Sequence, residues 1–490
     1  MATEEALGLI KKTFAALSAA ILIGTAAWVP DASAADGQVL DSSIYDVLVD
    51  RFFNGDPNND QDADPADPRA FSGGDFQGLM KKRDYIQSMG FKAVSIGSVF
   101  STETYDGWGV LDYGTIEDRF GTEEELLELI GDYHKHEMAV YADFPVGEVS
   151  ASHVWTTDHD DWAIRSDDGT VSWDLANSEV RDALIDAAVG FVKKTGVDGI
   201  RLIRFGEADD AFLNDLIGAL KKEKSDLIVL SDAPSDADFD LIFNTEENQI
   251  LRQAFSEMDP DSSGMEDVQM TEPPSLLFFD ELSGDRFTAE MVEKRMFPPT
   301  RWKVAATALF TLPGVPLMTY GSEVAVAGTG LHGNHPNHDF KADEELHDHI
   351  ANVNELRNQS ETLRTGKFEL LHNEDGMIVY RRYTDDETWI IVLNNTSETQ
   401  RVDIPEEKVG GSGKTLRALF GNDLVRQSDS GDYRIVLDRE TPDMFIVEED
   451  RGLNIPYIIA SILVYSIFIL FIWQVWRKGR QRRADEAKKK

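Results

Sequence analysis

Charged side chains that could do acid–base chemistry lie at the ends of short apolar runs. Asp143, Arg201 and Asp232 each lie in or directly after such a run. Two carboxyl groups with different pKa values can act as acid and base in one reaction. Ile203, two residues after Arg201, is aliphatic, and an aliphatic side chain cannot attack an electrophilic carbon or balance a positive charge. The sequence therefore predicts a polar site formed by two carboxyl groups and a guanidinium group.

The elements that must position these residues alternate between strand and helix patterns. This alternation predicts βαβ units and a parallel barrel. The capping pattern of Thr122, with Glu124 and Glu125 near the helix start, marks one crossover helix. Strands are expected at Ser43–Phe52, Ala93–Gly97 and Met138–Phe144, and helices at Glu123–His136, Val180–Thr195 and Ala211–Lys222.

The pattern changes from Phe368 to Glu448, where strand-like runs are separated by Asn, Asp and Gly turns. Such runs predict a small antiparallel β domain. The expected strands are Met377–Tyr380, Thr388–Leu393 and Tyr433–Leu437.

Ordered segments between Ile44 and Val447 resemble the α-amylase family of glycoside hydrolases, family 13. The segments are Asp50–Phe52, Gly73–Gly78, Asp112-Tyr113, Arg119–Thr122, Asp198–Arg201 and Leu312–Glu323. The resemblance implies a (β/α)8 TIM barrel over residues 35–364 with a short domain B at about 147–173. It also implies a β-sandwich domain C over residues 365–450. Active sites of such barrels lie at the carboxyl ends of the strands.

The family's catalytic positions are degenerate in this chain. The resemblance puts Ile203 at the nucleophile, Asp232 at the general acid and Ser283 at the third carboxylate. Asp143 and Arg201 are retained, but Asp232 is one methylene shorter than the family's Glu. Retaining hydrolysis needs two carboxyl groups about 5 Å apart. We therefore expect normal hydrolysis to be absent.

Three acids near the predicted barrel mouth, Glu148, Glu207 and Glu281, leave an alternative open. Any of them could have taken over as a relocated nucleophile, or all three could belong to a generally acidic surface. Arg201 has lost the partner that the family provides. We expect it to pair with Asp143 or Asp232, because an unpaired buried charge is costly.

Tyr105 and Trp108 occupy positions where the family has aromatic rings near the cleaved sugar. They could stack on a pyranose without cleavage, or they could pack in the core.

The resemblance also implies a structural Ca²⁺ site, because residues 54–60 and 73–75 resemble the calcium loop of cyclodextrin-glucanotransferase-like members. Hard oxygen donors of this kind suit Ca²⁺. A plain acidic turn is the alternative, as it is for Asp259–Gly264, which lacks the closing Glu of an EF-hand. The implied ligands are the side chains of Asn54, Asp56, Asn59, Asp60 and Asp75 and the carbonyl of Gly73.

The composition limits the partners and the compartment. The 490 residues carry a formal net charge of -42 and no cysteine. Disulfides and thiolate metal sites are excluded, and nucleic acid is an unsuitable partner for so negative a surface. The scattered acids predict a strongly hydrated surface that tolerates high salt.

Two apolar segments predict the cellular location of the protein. The first, Phe14–Val29, follows Lys11 and Lys12 and precedes Ala32-Ser33-Ala34, which predicts a signal peptide over residues 1–34. An uncleaved anchor is the alternative.

The second apolar segment, Ile455–Trp476, spans about 33 Å as a helix and predicts a transmembrane helix over residues 453–476. Trp473 and Trp476 would lie at the interface. The basic tail, residues 477–490, would be cytoplasmic and everything before the helix extracellular, in a single-pass protein of the cell membrane.

Two classes of function compete. One is an extracellular pseudoenzyme that serves as a scaffold or accessory subunit for an integral membrane protein. The other is a membrane-anchored glycoside hydrolase or transglycosidase acting on α-glucans, and a non-hydrolytic glucan-binding protein is a third possibility. The aliphatic residue at Ile203 favours the first class.

Overall fold

The computed structural model describes residues 39–167, 169–206, 208–330, 332–341, 345–421, 423–450 and 455–488. The predicted signal peptide, residues 1–34, lies outside this part of the chain. Eight strands form the barrel: Ile44–Asp46 (β1), Ala93–Ser95 (β2), Ala139–Pro145 (β3), Gly199–Ile203 (β4), Ile228–Ser231 (β5), Ile242–Phe243 (β6), Ser275–Leu277 (β7) and Val315–Thr319 (β8).

These eight strands pair in parallel in the order β5-β4-β3-β2-β1-β8-β7-β6. A parallel bridge between Leu230 and Leu241 closes the ring between β5 and β6. The predicted TIM barrel is therefore confirmed.

Helices surround the barrel, and the predicted capping of one of them is confirmed. The Thr122 side chain accepts a hydrogen bond from the Glu125 backbone N–H, and the Glu125 side chain accepts one from the Thr122 backbone N–H, which together form a capping box. The α-helices are Val49–Phe52 (α1), Phe76–Ser88 (α2), Glu123–Lys135 (α3), Val154–Asp158 (α4), Ser178–Thr195 (α5), Asp210–Glu223 (α6), Thr245–Phe255 (α7), Phe287–Glu293 (α8), Pro298–Thr311 (α9), Glu345–Gln359 (α10), Glu361–Thr365 (α11) and Ile455–Lys488 (α12).

The first predicted strand is too long. β1 ends at Asp46, and α1 begins at Val49. The buried Asp50 carboxylate accepts backbone N–H groups of Ser72 at 2.8 and 2.9 Å and of Gly73 at 3.2 Å. These long-range bonds fix a helical turn where the local pattern alone favours a strand.

Two insertions follow the second and third barrel strands. A hairpin of Phe100–Thr102 and Val110–Ile116 follows β2. After β3, α4 and a small antiparallel sheet form a short excursion from the barrel, with strands at Glu148–Val149, Ala163–Arg165 and Val171–Trp173.

The C-terminal domain is antiparallel, as predicted. It contains a six-stranded sheet and a two-stranded sheet around a separate apolar core that includes Val392, Ile404 and Ile435. Its strands are Lys367–Glu374 (β9), Met377–Tyr383 (β10), Thr388–Asn394 (β11), Gln400–Ile404 (β12), Lys414–Ala418 (β13), Leu424–Arg426 (β14), Tyr433–Leu437 (β15) and Thr441–Glu449 (β16).

Helix α12 contains a segment, Ile459–Gln481, that is long and apolar enough to cross a membrane. Within the described part of the chain, this 23-residue segment is not buried against any other element. The helix continues through the basic residues to Lys488, so the tail is helical as far as that residue.

Candidate functional site

The carboxyl ends of neighbouring barrel strands bring most of the predicted site residues together. In the sheet, Asp143 of β3 lies opposite Arg201 of β4, and Arg201 lies opposite Leu230 of β5. The cavity at this end of the barrel has a volume of about 110 Å³. It is lined by Trp108, Asp143, Arg201, Ile203, Arg204, Asp232, Phe243, Glu281, Leu282 and Ser283.

Arg201 is held by two carboxylates. Its Nε and Nη2 each donate to Asp143 at 2.8 Å, and its Nη2 and Nη1 donate to Asp46 at 3.0 and 3.3 Å. Burial opposes the charge of the guanidinium, but the two carboxylates outweigh burial and raise the pKa of Arg201. The expected pairing with Asp143 is confirmed, whereas Asp46 was not anticipated and Asp232 is not the partner.

Asp232, unlike Asp143, forms no ion pair with Arg201 in the described part of the chain. Burial raises the pKa of Asp232 to about 6, although the Arg204 backbone N–H donates to its Oδ2 at 2.7 Å and opposes that rise. A carboxyl group with such a pKa can hold a proton near neutral pH, which is the property of a general acid.

No second carboxylate faces Asp232 from the nucleophile position. Ile203 ends β4 with only 4% of its surface exposed, and Ser283 lies on the exposed side of the cavity. Glu281 also lines the cavity. Glu148 is ion-paired, and Glu207 lies outside the described residues.

Arg204 also lines this cavity, although the sequence did not single it out. Its guanidinium pairs with Glu148 and lies 5.3 Å above the centre of the Trp108 ring. Its backbone is left-handed, with φ of 53°. A Cβ at Gly147 would lie 2.4 Å from the Arg204 carbonyl oxygen.

Gly147 and Glu148 stand where the resemblance implies an Asn-His pair, and both changes suit Arg204. Gly147 has no side chain and so leaves space for the Arg204 carbonyl oxygen, and Glu148 is the counter-ion of the Arg204 guanidinium. A basic residue directly after the substituted position was the available signal in the sequence.

The two aromatic candidates have different environments. Trp108 lines the cavity, whereas Tyr105 does not and is 2% exposed. The Tyr105 hydroxyl lies 2.9 Å from Nδ1 of His335 and 3.1 Å from Nδ1 of His332, and Arg51 stacks 3.7 Å from its ring centre. Burial lowers the pKa of His335 to about 4, so this imidazole is neutral. Tyr105 therefore belongs to a packed polar cluster.

The predicted calcium loop brings only some of its candidate ligands together. Asn54 donates to Asp60 at 2.7 Å, and a Cβ at Gly73 would lie 2.6 Å from the same Asp60 oxygen. The buried Oδ1 of Asn59 has no hydrogen-bond partner within the described residues. These four residues supply hard oxygens and fit a Ca²⁺ ion.

Two other predicted ligands are occupied by protein groups. Asp75 accepts the backbone N–H groups of Gly55, Asp56 and Gly78 at 2.9, 2.7 and 2.6 Å, and it caps α2. Asp56 accepts from the backbone and side chain of Asn58. In the described part of the chain, no three His, Cys, Asp or Glu side chains cluster as a metal site, so the loop would depend on amide and carbonyl oxygens in addition to the Asp60 carboxylate.

A closed eight-stranded barrel, a short excursion after β3 and a separate antiparallel domain define a protein of the glycoside-hydrolase barrel class. A family model described as the alpha amylase catalytic domain matches residues 46–168, and one for the alpha-amylase C-terminal domain matches residues 366–445. The solved α-amylase from Geobacillus thermoleovorans, complexed with acarbose, is 32% identical with a TM-score of 0.79. The match covers 84% of this chain and 99% of that protein. This chain belongs to the α-amylase family.

Other relatives are glucan-acting enzymes by name. The solved Anoxybacillus α-amylase is 32% identical with a TM-score of 0.78, covering 84% of this chain and 99% of that protein. A cyclomaltodextrinase from a Bacillus species is 26% identical, covering 78% of this chain and 75% of the relative. The beta/alpha-amylase of Paenibacillus polymyxa is also 26% identical over 81% of this chain, which spans 37% of that longer protein.

Proposed function

We propose that this protein is a membrane-anchored extracellular pseudoenzyme of the α-amylase family that has lost hydrolysis and acts as a scaffold or accessory subunit of a membrane protein complex. The observation that carries the proposal is the pair of changes at the barrel mouth. Ile203 stands at the nucleophile position that the resemblance implies, and Arg204, which pairs with Glu148, lines the cavity. The remaining volume of about 110 Å³ is smaller than the roughly 300–1,000 Å³ of ordinary ligand pockets.

The topology of the proposal depends on α12. The apolar part of Ile459–Gln481 crosses the cell membrane, and the basic residues at and beyond its downstream end keep the tail in the cytoplasm. The barrel and the antiparallel domain are then extracellular. Arg477 and Arg480 lie 5.3 and 4.0 Å from the rings of Trp473 and Trp476, an arrangement suited to a membrane interface.

The scaffold role is tested by purifying the full-length protein from its own membranes in mild detergent through a tag on the tail. We expect one integral membrane protein to co-purify in a constant ratio and to be retained when Asp232 is replaced by Asn. A tag-only membrane protein is the control. Recovery of the tagged chain alone would contradict the scaffold role.

The loss of hydrolysis is tested separately with 4-nitrophenyl maltooligosides and maltoheptaose. We expect no product above the rate without protein. Product formation that disappears in Asp232→Asn would contradict the loss of catalysis but leave the partner experiment unaffected.

A second candidate function is a membrane-anchored hydrolase or transglycosidase acting on α-glucans. One observation favours it: Asp232 and Glu281 line the same cavity, and burial gives Asp232 the pKa of a general acid. In this case Glu281→Gln and Asp232→Asn should each abolish product formation, whereas Glu148→Gln should not.

A structural Ca²⁺ ion is part of the proposal. Asn54, Asn59, Asp60 and the carbonyl of Gly73 would hold it, and the orphaned Asn59 oxygen supports this assignment. The ion would fix the loop between α1 and α2 and take no part in chemistry.

A further inference from the structure

A groove on the side of the barrel is much larger than the cavity at the mouth. Its volume is about 700 Å³, against about 110 Å³ at the mouth. It lies between α5, α4 with the turn that follows, and the strand Val110–Ile116. The groove, unlike the cavity at the mouth, has the roughly 300–1,000 Å³ typical of small-molecule sites. None of the candidate catalytic residues lines it.

One wall of this lateral groove is aromatic and rigid. Trp155 is half-buried, and its ring centre lies 5.2 Å from Tyr113, 5.8 Å from Trp162 and 5.3 Å from Trp173. These neighbours fix the ring before any ligand arrives, which lowers the entropy cost of binding.

The floor of the lateral groove is open because α5 presents small residues there. Ala183, Ala187 and Gly190 share one face of the helix, and a Cβ at Gly190 would meet no atom within 4 Å. Asp158 and Asp186 lie exposed at the edge, and neither forms a hydrogen bond or ion pair within the residues that the structure describes. Lys194 is already paired with Glu123.

We propose that the lateral groove binds an uncharged oligosaccharide. A pyranose ring has an apolar C–H face that packs on an indole, and its hydroxyls can donate to free carboxylates. The same carboxylates repel a chain of uronic acids. The proposed site is independent of the scaffold role, since it shares no residue with the barrel mouth.

The test is calorimetric titration of the full-length protein in nanodiscs with maltoheptaose, cellohexaose and hexagalacturonic acid. We expect one of the two neutral sugars to bind and the acidic sugar not to bind. Trp155→Ala should weaken binding at least tenfold, and Phe297→Ala, an exposed aromatic elsewhere, should change it less than twofold.

Gly190→Arg fills the groove from an exposed helical position and replaces a poor helix former. We expect this variant to remove binding while the thermal midpoint stays the same or rises. It therefore tests whether the sugar binds in the lateral groove even if Trp155→Ala fails to fold. Absence of binding by both neutral sugars would overturn the proposal. So would binding that survives Gly190→Arg but is lost in Trp108→Ala, because the ligand would then lie at the barrel mouth.

Discussion

At the scale of single residues, the barrel mouth combines a neutralised arginine with a half-buried carboxyl group. Asp46 and Asp143 both bind Arg201, so this arginine has no free charge to offer a nucleophile at position 203. Asp232 lines a small cavity and is partly removed from solvent. Its ionised form is therefore the costly one.

The raised pKa of Asp232 predicts a pH-dependent effect of Asp232→Asn. The folded pKa of about 6 lies above the ordinary value of 3.8, so ionisation of Asp232 lowers stability above pH 6. This loss disappears as the pH falls through 6 towards 3.8. We expect Asp232→Asn to add about 2 kcal/mol at pH 8 and close to nothing at pH 4.

The measurement is urea unfolding of the full-length protein in detergent at both pH values. Asp118→Asn, at an exposed position, is the matched control, with an expected change within about 0.5 kcal/mol. An equal gain at both pH values would contradict a pKa origin.

We predict that an acidic residue at position 203 lowers the stability of the folded chain and does not restore activity. Ile203 is buried, and a carboxylate there would add a fourth charge to a site whose arginine is saturated. We expect Ile203→Asp to cost about 3 kcal/mol or more, and Ile203→Val about 1 kcal/mol. Denaturant unfolding and assays with maltoheptaose check both parts. Hydrolysis by Ile203→Asp alone would show that neither the shorter side chain of Asp232 nor the Arg204 side chain at the cavity blocks catalysis.

At the scale of elements, the loop between α1 and α2 is fixed by Asp50 and Asp75, whose carboxylates accept backbone N–H groups. In the candidate calcium loop, Asn54 donates to Asp60, and the buried Oδ1 of Asn59 has no hydrogen-bond partner within the described residues.

Calcium should therefore stabilise the folded chain. At 100 times its dissociation constant, a ligand specific for the folded state adds about 2.7 kcal/mol. We expect the thermal midpoint to rise with CaCl₂ and fall with EDTA, and we expect Asp60→Asn to remove this response. Asp261→Asn, in the second acidic turn, should keep it. A response identical in both variants would place any calcium effect outside the loop.

At the scale of the whole molecule, the net charge of -42 dominates. Self-repulsion among exposed carboxylates disfavours the compact state, and salt reduces it because the screening length shortens from about 10 Å at 0.1 M to about 3 Å at 1 M. We expect the thermal midpoint to rise by several degrees between 0.1 M and 1 M NaCl, with KCl giving the same increase. A midpoint that falls with salt would mean that attractive ion pairs outweigh the repulsion.

The barrel, the antiparallel domain and the apolar C-terminal helix could be predicted from the sequence, because periodicity, turn residues and the capping box of Thr122 are local signals. The resemblance to the α-amylase family also predicted that Ile203 stands at the nucleophile position. Three other features could not be predicted in this way: Asp46 shares Arg201 with Asp143, Arg204 pairs with Glu148, and α1 replaces the end of the first predicted strand. These depend on side chains far apart in the chain, and burial and charge pairing act on distances that no local pattern contains.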